Sequence, residues 1–285
     1  MLDARRKKLA RSRLSTYPRH VRFGKPASTA LMLAAFTAAV HVSAGPPATR
    51  TRAALAPAIA LSLGAPNDGR LLAGSHLEPS SVIRVIPAFA NADFRWGLPA
   101  LVRLLERVAL RVSQKHPGSI MSVGDISRRA GGGIREHLSH QSGRDADIGF
   151  YVSDPAGAQL LQPRFIDFDA NGTSREVPAA RFDDARNWAL VEALVADREA
   201  KVEFIFVSAA LRSRLIREAL RQRAPASVRM RAAGVMRDPA PSTSHTDHFH
   251  VRIMCPGDQP RACEPHPRKR SGSLPSQRQA PARRH

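Results

Sequence analysis

The chain has 285 residues, 43% of them hydrophobic, and a formal net charge of +20. This length allows one large domain or two small ones, and the apolar content allows a sizeable core. Most of the positive charge lies at the two ends: residues 1–27 carry nine Lys or Arg against one acid, and residues 264–285 carry six against one. Because the segment between them is only weakly basic, the charge does not indicate a nucleic-acid groove, and we expect no nucleic-acid partner.

Residues 1–45 have the pattern of an export signal or an N-terminal anchor. A basic segment, residues 5–13, precedes an apolar run at residues 30–44 that ends in the tripeptide VSA, as at a signal-peptide cleavage site. A cleaved signal, an uncleaved membrane anchor and a buried helix are the three alternatives. The first predicts an exported, periplasmic protein.

The next segment, residues 46–66, is rich in Ala and Pro and is predicted to be a linker before a folded body at residues 67–263. Within that body, apolar residues recur at spacings of three and four and predict a helix that ends before Pro117. They are Leu98, Leu101, Leu105, Val108 and Val112. Residues 264–285 are rich in Pro, Ser, Gln and Arg, which predicts a disordered basic tail.

The remaining elements follow from short apolar or β-branched runs and from helical spacing. We predict strands at residues 120–123, 145–152, 202–207 and 249–254, helices at 183–200 and 209–223, and a loop at 128–142. Strands and helices do not alternate regularly. The predicted fold class is therefore α+β, with helices packed around a mostly antiparallel sheet.

The two cysteines, Cys255 and Cys263, lie eight residues apart. In an oxidising compartment such a pair can form a disulfide, and we predict one here. Two unrelated thiols are the alternative. Without further ligands nearby, the pair does not indicate a zinc site.

Histidines and acids cluster in two short windows, residues 136–147 and 244–250. Successive side chains of a strand point to opposite faces, so His248 shares a face with His250, and Asp145 with Asp147. Apolar residues alternate with them and would anchor the other face. Imidazole and carboxylate suit Zn²⁺, and we predict a single zinc site built from both windows.

Other catalytic signatures are absent from the sequence. There is no H-E-x-x-H, no G-x-S-x-G and no S-x-x-K motif. Cysteine nucleophiles are disfavoured because both cysteines are expected to pair. A metal-activated water is the nucleophile that remains.

At these residues the sequence resembles the penicillin-insensitive murein endopeptidases, within the wider group of lysostaphin-like, D-Ala-D-Ala peptidase and hedgehog-type zinc domains. The wider group carries H-x6-D, here His140 to Asp147, and a later H-x-H, here His248 to His250. The endopeptidase branch is matched more specifically by H-x-x-H-Q-x-G-x-D-x-D-I at residues 137–148 and by H-x-x-H-x-H-V-R at residues 245–252. The likeness covers most of residues 62–263.

The resemblance implies that His140, Asp147 and His250 bind zinc and that His248 is a catalytic histidine. The resemblance also implies that His245 is a further active-site histidine, and that His137 either binds the metal or lies next to its ligands. A second metal site known in some relatives finds no convincing match here.

The implied reaction is hydrolysis of D-Ala to diamino acid cross-links in peptidoglycan, whose cross-linked peptides are the expected partner. A D-Ala-D-Ala metallo-carboxypeptidase and a non-catalytic zinc domain that binds cell-wall fragments remain the alternatives. The sequence leaves the diamino acid and the oligomeric state open.

Overall fold

The fold was analysed in a computed structural model that describes residues 59–135, 137–238, 245–259 and 261–267. The strands in these ranges are β1 (Leu61–Ala65), β2 (Asp68–Leu72), β3 (Ser75–His76), β4 (Ile83–Val85), β5 (Trp96–Gly97), β6 (Met121–Val123), β7 (Asp145–Gly149), β8 (Val152–Ser153), β9 (Arg181–Phe182), β10 (Val202–Phe206), β11 (Met236–Arg237) and β12 (His248–Ile253). The α-helices are α1 (Pro99–Lys115), α2 (Asp184–Ala196), α3 (Ala209–Arg221) and α4 (Ala226–Val235), and a 3-10 helix spans Pro87–Ala92.

The main sheet has six strands in the order β11-β10-β12-β7-β6-β4. The three central pairings are antiparallel, and the pairings at the two edges, β10 with β11 and β4 with β6, are parallel. The predicted α+β class with a mostly antiparallel sheet is therefore confirmed. The two strands at the centre of the sheet, β7 and β12, carry the predicted metal-binding motifs.

Helix α1 begins at Pro99, whose fixed φ suits the first helical turn, and ends two residues before Pro117. Its buried face has the predicted spacing and packs against α2. That face belongs to one hydrophobic core. The same core contains Ile148 from the apolar side of β7, and Phe249 and Val251 from the apolar side of β12. Burial of each such side chain stabilises the fold by about 1.5–3 kcal/mol and fixes both strands on one side. Their polar sides are left to form a site.

The single strand predicted at residues 145–152 is instead two strands. Strand β7 ends at Gly149, and β8 pairs with β9 outside the main sheet. Between them the buried Tyr151 leaves the ladder, and its backbone N–H and C=O are both bonded by the side chain of Asn187, at 2.9 and 2.8 Å. This side chain satisfies the backbone groups that a continuous strand would have paired.

Strand β1 lies inside the segment predicted as a linker, residues 46–66. The Gly64 N–H donates to the carbonyl of Ala262 at 2.7 Å, and the Gly64 carbonyl accepts from Glu264 N–H at 2.9 Å. These bonds tie the hairpin of β1 and β2 to residues 262–264. The Ala- and Pro-rich composition concealed a strand that pairs with β2 in a hairpin and is bridged through Gly64 to residues 262–264.

Helix α4 was not predicted either. Its apolar residues do not gather on one face, and Ala232 is its only buried residue. The expected export signal or anchor, at residues 1–45, lies outside the described residues, as do residues 268–285 of the predicted tail. Within the part of the chain that is described, no helix combines the length and the apolarity needed to cross a membrane.

Candidate metal centre

The register of β7 and β12 brings the two motifs together. His250 lies directly opposite Asp147, and His248 lies opposite Gly149. Opposed residues of an antiparallel pair have Cβ atoms about 5 Å apart, so the two side chains meet on the polar face of the sheet. The Nδ1 atom of His250 lies 3.1 Å from Oδ1 of Asp147. Two windows about 100 residues apart in sequence thus form one site.

His140 enters this site from the loop that precedes β7. Its backbone has φ +67°, a left-handed conformation, and the turn continues through Gly143 at φ +73°. The Nδ1 atom lies 2.7 Å from the carbonyl of Ile126, which can only accept, so Nδ1 carries the hydrogen. The Nε2 atom therefore faces the site with its lone pair, 3.2 Å from Oδ1 of Asp147.

His250 is oriented in the same manner by a carboxylate. Its Nε2 atom donates to Oδ1 of Asp145 at 2.8 Å, and the Nε atom of Arg252 donates to the same oxygen at 2.6 Å. Asp145 and His250 are buried, as is Arg252. A hydrogen bond of this kind fixes the tautomer and the ring direction of a metal-ligating histidine, and it leaves Nδ1 free to face the site.

His137 lies at the edge of the site, with its side chain 21% exposed. Its Nε2 atom is 3.0 Å from Oδ2 of Asp125, and its Nδ1 atom is 3.6 Å from Oδ2 of Asp147. One ligand atom from each of His137, His140 and Asp147 lies within 4.8 Å of the other two. These three side chains can hold a metal ion together.

His248 approaches Asp147 from the other side of the site. Its Nε2 atom lies 3.5 Å from Oδ1 of Asp147, and its Nδ1 atom lies 2.6 Å from Oδ1 of Asp247. The ring of Phe165 is stacked on the imidazole with centroids 4.6 Å apart. The ring of His245 lies 4.9 Å from that of His248, at the same side of the centre.

The chemistry of this donor set fits a zinc ion. Asp147 is completely buried, and neither of its oxygens has a hydrogen-bond partner among the described residues, although imidazole nitrogens surround it. An isolated buried carboxylate is costly, and such groups are paired or coordinate metals. Nitrogen from His140 and His250 with oxygen from Asp147 is a ligand set typical of catalytic zinc, which leaves a fourth position open.

The electrostatics of the site favour a cation at the same place. Burial alone would raise the pKa of Asp147, but His140 and His248 outweigh it and hold that pKa well below its ordinary value. Burial alone would lower the pKa of His248, but Asp147 and Asp247 raise it to about 10. The buried carboxylate thus attracts positive charge strongly. A metal cation beside Asp147 would replace protons there and would lower the pKa of His248 again.

All six histidine and aspartate residues predicted for the site come together in the structure. Alternation along the strands made the placement of Asp147, His248 and His250 predictable, whereas His137, His140 and His245 lie outside the strands. Sequence reasoning did not identify Asp125, Asp247 or Phe165 as neighbours of the histidines. Asp247 was detectable as an acid next to His248, whereas Phe165 lies in a segment without regular structure and gave no signal.

The chain is similar to proteins of one family. A family model described as penicillin-insensitive murein endopeptidase matches residues 64–277. A penicillin-insensitive murein endopeptidase of Salmonella heidelberg (strain SL476) is 30% identical over 175 residues, which cover 60% of this chain and 58% of the relative. Proteins of the same name from Escherichia coli O1:K1 / APEC and Escherichia coli (strain SMS-3-5 / SECEC) have the same identity and coverage. The chain thus spans less than two thirds of the length of these relatives.

Proposed function

The chain belongs to the penicillin-insensitive murein endopeptidase family, and we propose that it is a zinc-dependent endopeptidase that hydrolyses D-Ala to diamino acid cross-links in peptidoglycan. The observation that carries this proposal is the convergence of His140, His248 and His250 on one buried oxygen of Asp147, at 3.1–3.5 Å. Family membership supplies the substrate class. The geometry supports a site suited to metal-assisted hydrolysis.

In this proposal His140, Asp147 and His250 hold the zinc ion, with His137 as a further ligand or a neighbour of the ligands. When bound, zinc polarises the scissile carbonyl and lowers the pKa of a water molecule toward about 7. The Ile126 carbonyl and the Asp145 carboxylate keep the two imidazoles pointing at the centre. This fixed arrangement needs no rearrangement during the reaction.

His248 is the proposed proton carrier. Its Nε2 atom faces the centre, where it can accept a proton as water oxygen bonds to the carbonyl carbon. The same nitrogen then returns the proton to the leaving amine as the C–N bond breaks. His245, whose ring adjoins that of His248, is proposed to complete this side of the active site.

A substrate in the cell wall also requires export. The basic and apolar pattern of residues 1–45 supports a periplasmic location, reached through a cleaved signal or kept by an uncleaved anchor.

The decisive test is digestion of purified sacculi by the zinc-loaded protein, with the released fragments identified by mass. The endopeptidase proposal predicts loss of cross-linked dimers and a matching gain of monomers. Loss of terminal D-Ala alone would instead assign a carboxypeptidase, and intact sacculi with zinc bound would assign a binding domain. His140→Ala is the control and should release nothing.

A further inference from the structure

We propose that Asp247 is a positioning residue that holds His248 in one tautomer, with the Nε2 lone pair directed at the reaction centre, while Phe165 fixes the plane of the ring. This inference rests on the proposed function, in which His248 moves a proton. It concerns a carboxylate outside the group that surrounds the metal position.

The hydrogen bond between the two neighbours determines the tautomer. Oδ1 of Asp247 lies 2.6 Å from Nδ1 of His248. An ionised carboxylate only accepts hydrogen bonds, so Nδ1 must carry the hydrogen. In a neutral imidazole the other nitrogen, Nε2, is then the acceptor, and this atom faces Asp147 and the centre. A histidine that must accept a proton from a reacting water needs this tautomer.

The aromatic contact fixes the ring's orientation. The planes of Phe165 and His248 are only 15° from parallel. Phe165 lies against Gly124 and Gly149, where an added Cβ would approach its ring to 2.7 and 3.3 Å. Two glycines therefore make room for the phenyl ring beside the site. The imidazole of His248 can rotate only by displacing a packed aromatic side chain.

The backbone just before Asp247 is held by two hydrogen bonds. The carbonyl of His245 accepts from the Ser208 N–H at 3.1 Å, and the carbonyl of Thr246 accepts from the Phe168 N–H at 2.9 Å. The Thr246 hydroxyl also donates to Asp167. The carboxylate of Asp247 is thus in position before substrate binds, so the reaction pays little conformational entropy to orient it.

The arrangement accounts for a complete proton cycle at His248. Nδ1 keeps its hydrogen throughout, bonded to Asp247. Nε2 gains the proton of the attacking water and later loses it to the leaving amine, so the ring carries positive charge only between these steps. The adjacent carboxylate stabilises that charge, as the aspartate of a Ser-His-Asp triad does.

The test compares Asp247→Ala and Asp247→Asn in the zinc-loaded full chain. Asp247→Ala removes the acceptor and should lower kcat on cross-linked peptide dimers about 10- to 100-fold, with KM changed less than about two-fold and zinc content unchanged. Asp247→Asn should lose at least as much, because its amide nitrogen can donate to Nδ1 and so favour the tautomer with hydrogen on Nε2. Glu78→Ala is the matched control, because it removes a carboxylate that lies 2.6 Å from Nδ1 of a histidine outside the site, His76, and its kcat should stay within about two-fold.

A second readout does not require turnover. The ¹⁵N chemical shifts of the His248 ring should show hydrogen on Nδ1 in the wild type and a shift toward hydrogen on Nε2 in Asp247→Ala. An unchanged tautomer together with unchanged kcat would overturn the proposal, as would a loss confined to KM or to bound zinc. Sacculi that remain intact with wild-type protein would overturn the proposed function instead, while the NMR comparison would still decide the tautomer.

Discussion

His250 and Asp147 face each other across β12 and β7, with Nδ1 of the histidine 3.1 Å from Oδ1 of the aspartate. His248 lies two residues before His250 on the same strand, and its Nε2 atom is 3.5 Å from the same oxygen. The two histidines differ in what holds them. His250 is buried and bonded to Asp145, whereas His248 is bonded to the partly exposed Asp247. These surroundings support the different roles proposed for the two histidines.

We predict that His250→Ala loses zinc and activity together, because it removes a proposed zinc ligand. His248→Ala should keep its zinc but lose kcat by about 10²–10⁴-fold, the range of a general acid–base group. Metal analysis and kcat measured on both variants check the assignment. A metal-free His248→Ala beside a zinc-loaded His250→Ala would reverse it.

Much of this site could be predicted from the sequence because the information is local. The alternation of polar and apolar residues around Asp147 and His250 predicts which side chains share a face of the sheet. In the structure Asp147 and His250 do lie on one face. The register that places one opposite the other is not local, and neither is the position of Phe165 over two glycines. The bonds from Gly64 in β1 to Ala262 and Glu264 are not local either, and the linker-like composition of β1 gave no sign of them.

The predicted disulfide is present between Cys255 and Cys263. The guanidinium of the buried Arg144 donates to the carbonyls of Ile253 at 3.1 Å and Glu264 at 2.7 Å, so the disulfide-closed loop is also held at both ends by hydrogen bonds. Replacing both cysteines by serine should lower the free energy of unfolding by about 2.5 kcal/mol, the loop-closure value for this separation. Urea unfolding measures this difference.

Reductant provides the control for that experiment. It should destabilise the wild type by a similar amount and leave the double-serine variant unchanged. Equal unfolding midpoints for wild type and variant without reductant would show that the cross-link contributes nothing.

The acid stability of the fold should depend on Asp197, far from the metal centre in sequence. Its side chain is 1% exposed and lies 2.8 Å from Nε of Arg107. Burial alone would raise the pKa of Asp197, but the hydrogen bonds from Arg107 and from the Ala200 N–H outweigh it and lower the pKa. A carboxyl with a lowered folded-state pKa stabilises the fold above its unfolded value near 3.8, and this contribution disappears as the pH falls through the folded value.

Asp197→Asn should therefore lower the free energy of unfolding by about 2–3 kcal/mol at neutral pH and by less in acid. The stability of the variant should depend less on pH than that of the wild type. Glu199→Gln is the matched control, because Glu199 contacts the same Arg107 at 2.8 Å but is 68% exposed. The exposed ion pair of Glu199 and Arg107 should contribute less than about 1 kcal/mol to the free energy of unfolding. Equal losses in the two variants at pH 7 would contradict the role given to burial.

The measurement that tests the central claim most directly is the rate of dimer cleavage as zinc is added back to metal-free protein. Cross-linked peptide dimers from peptidoglycan are the substrate, and the products are counted by mass. The account predicts no cleavage without metal and a rate that rises until about one equivalent of zinc per chain is bound, through His140, Asp147 and His250. Full cleavage by the metal-free protein, or none after zinc is bound, would contradict it.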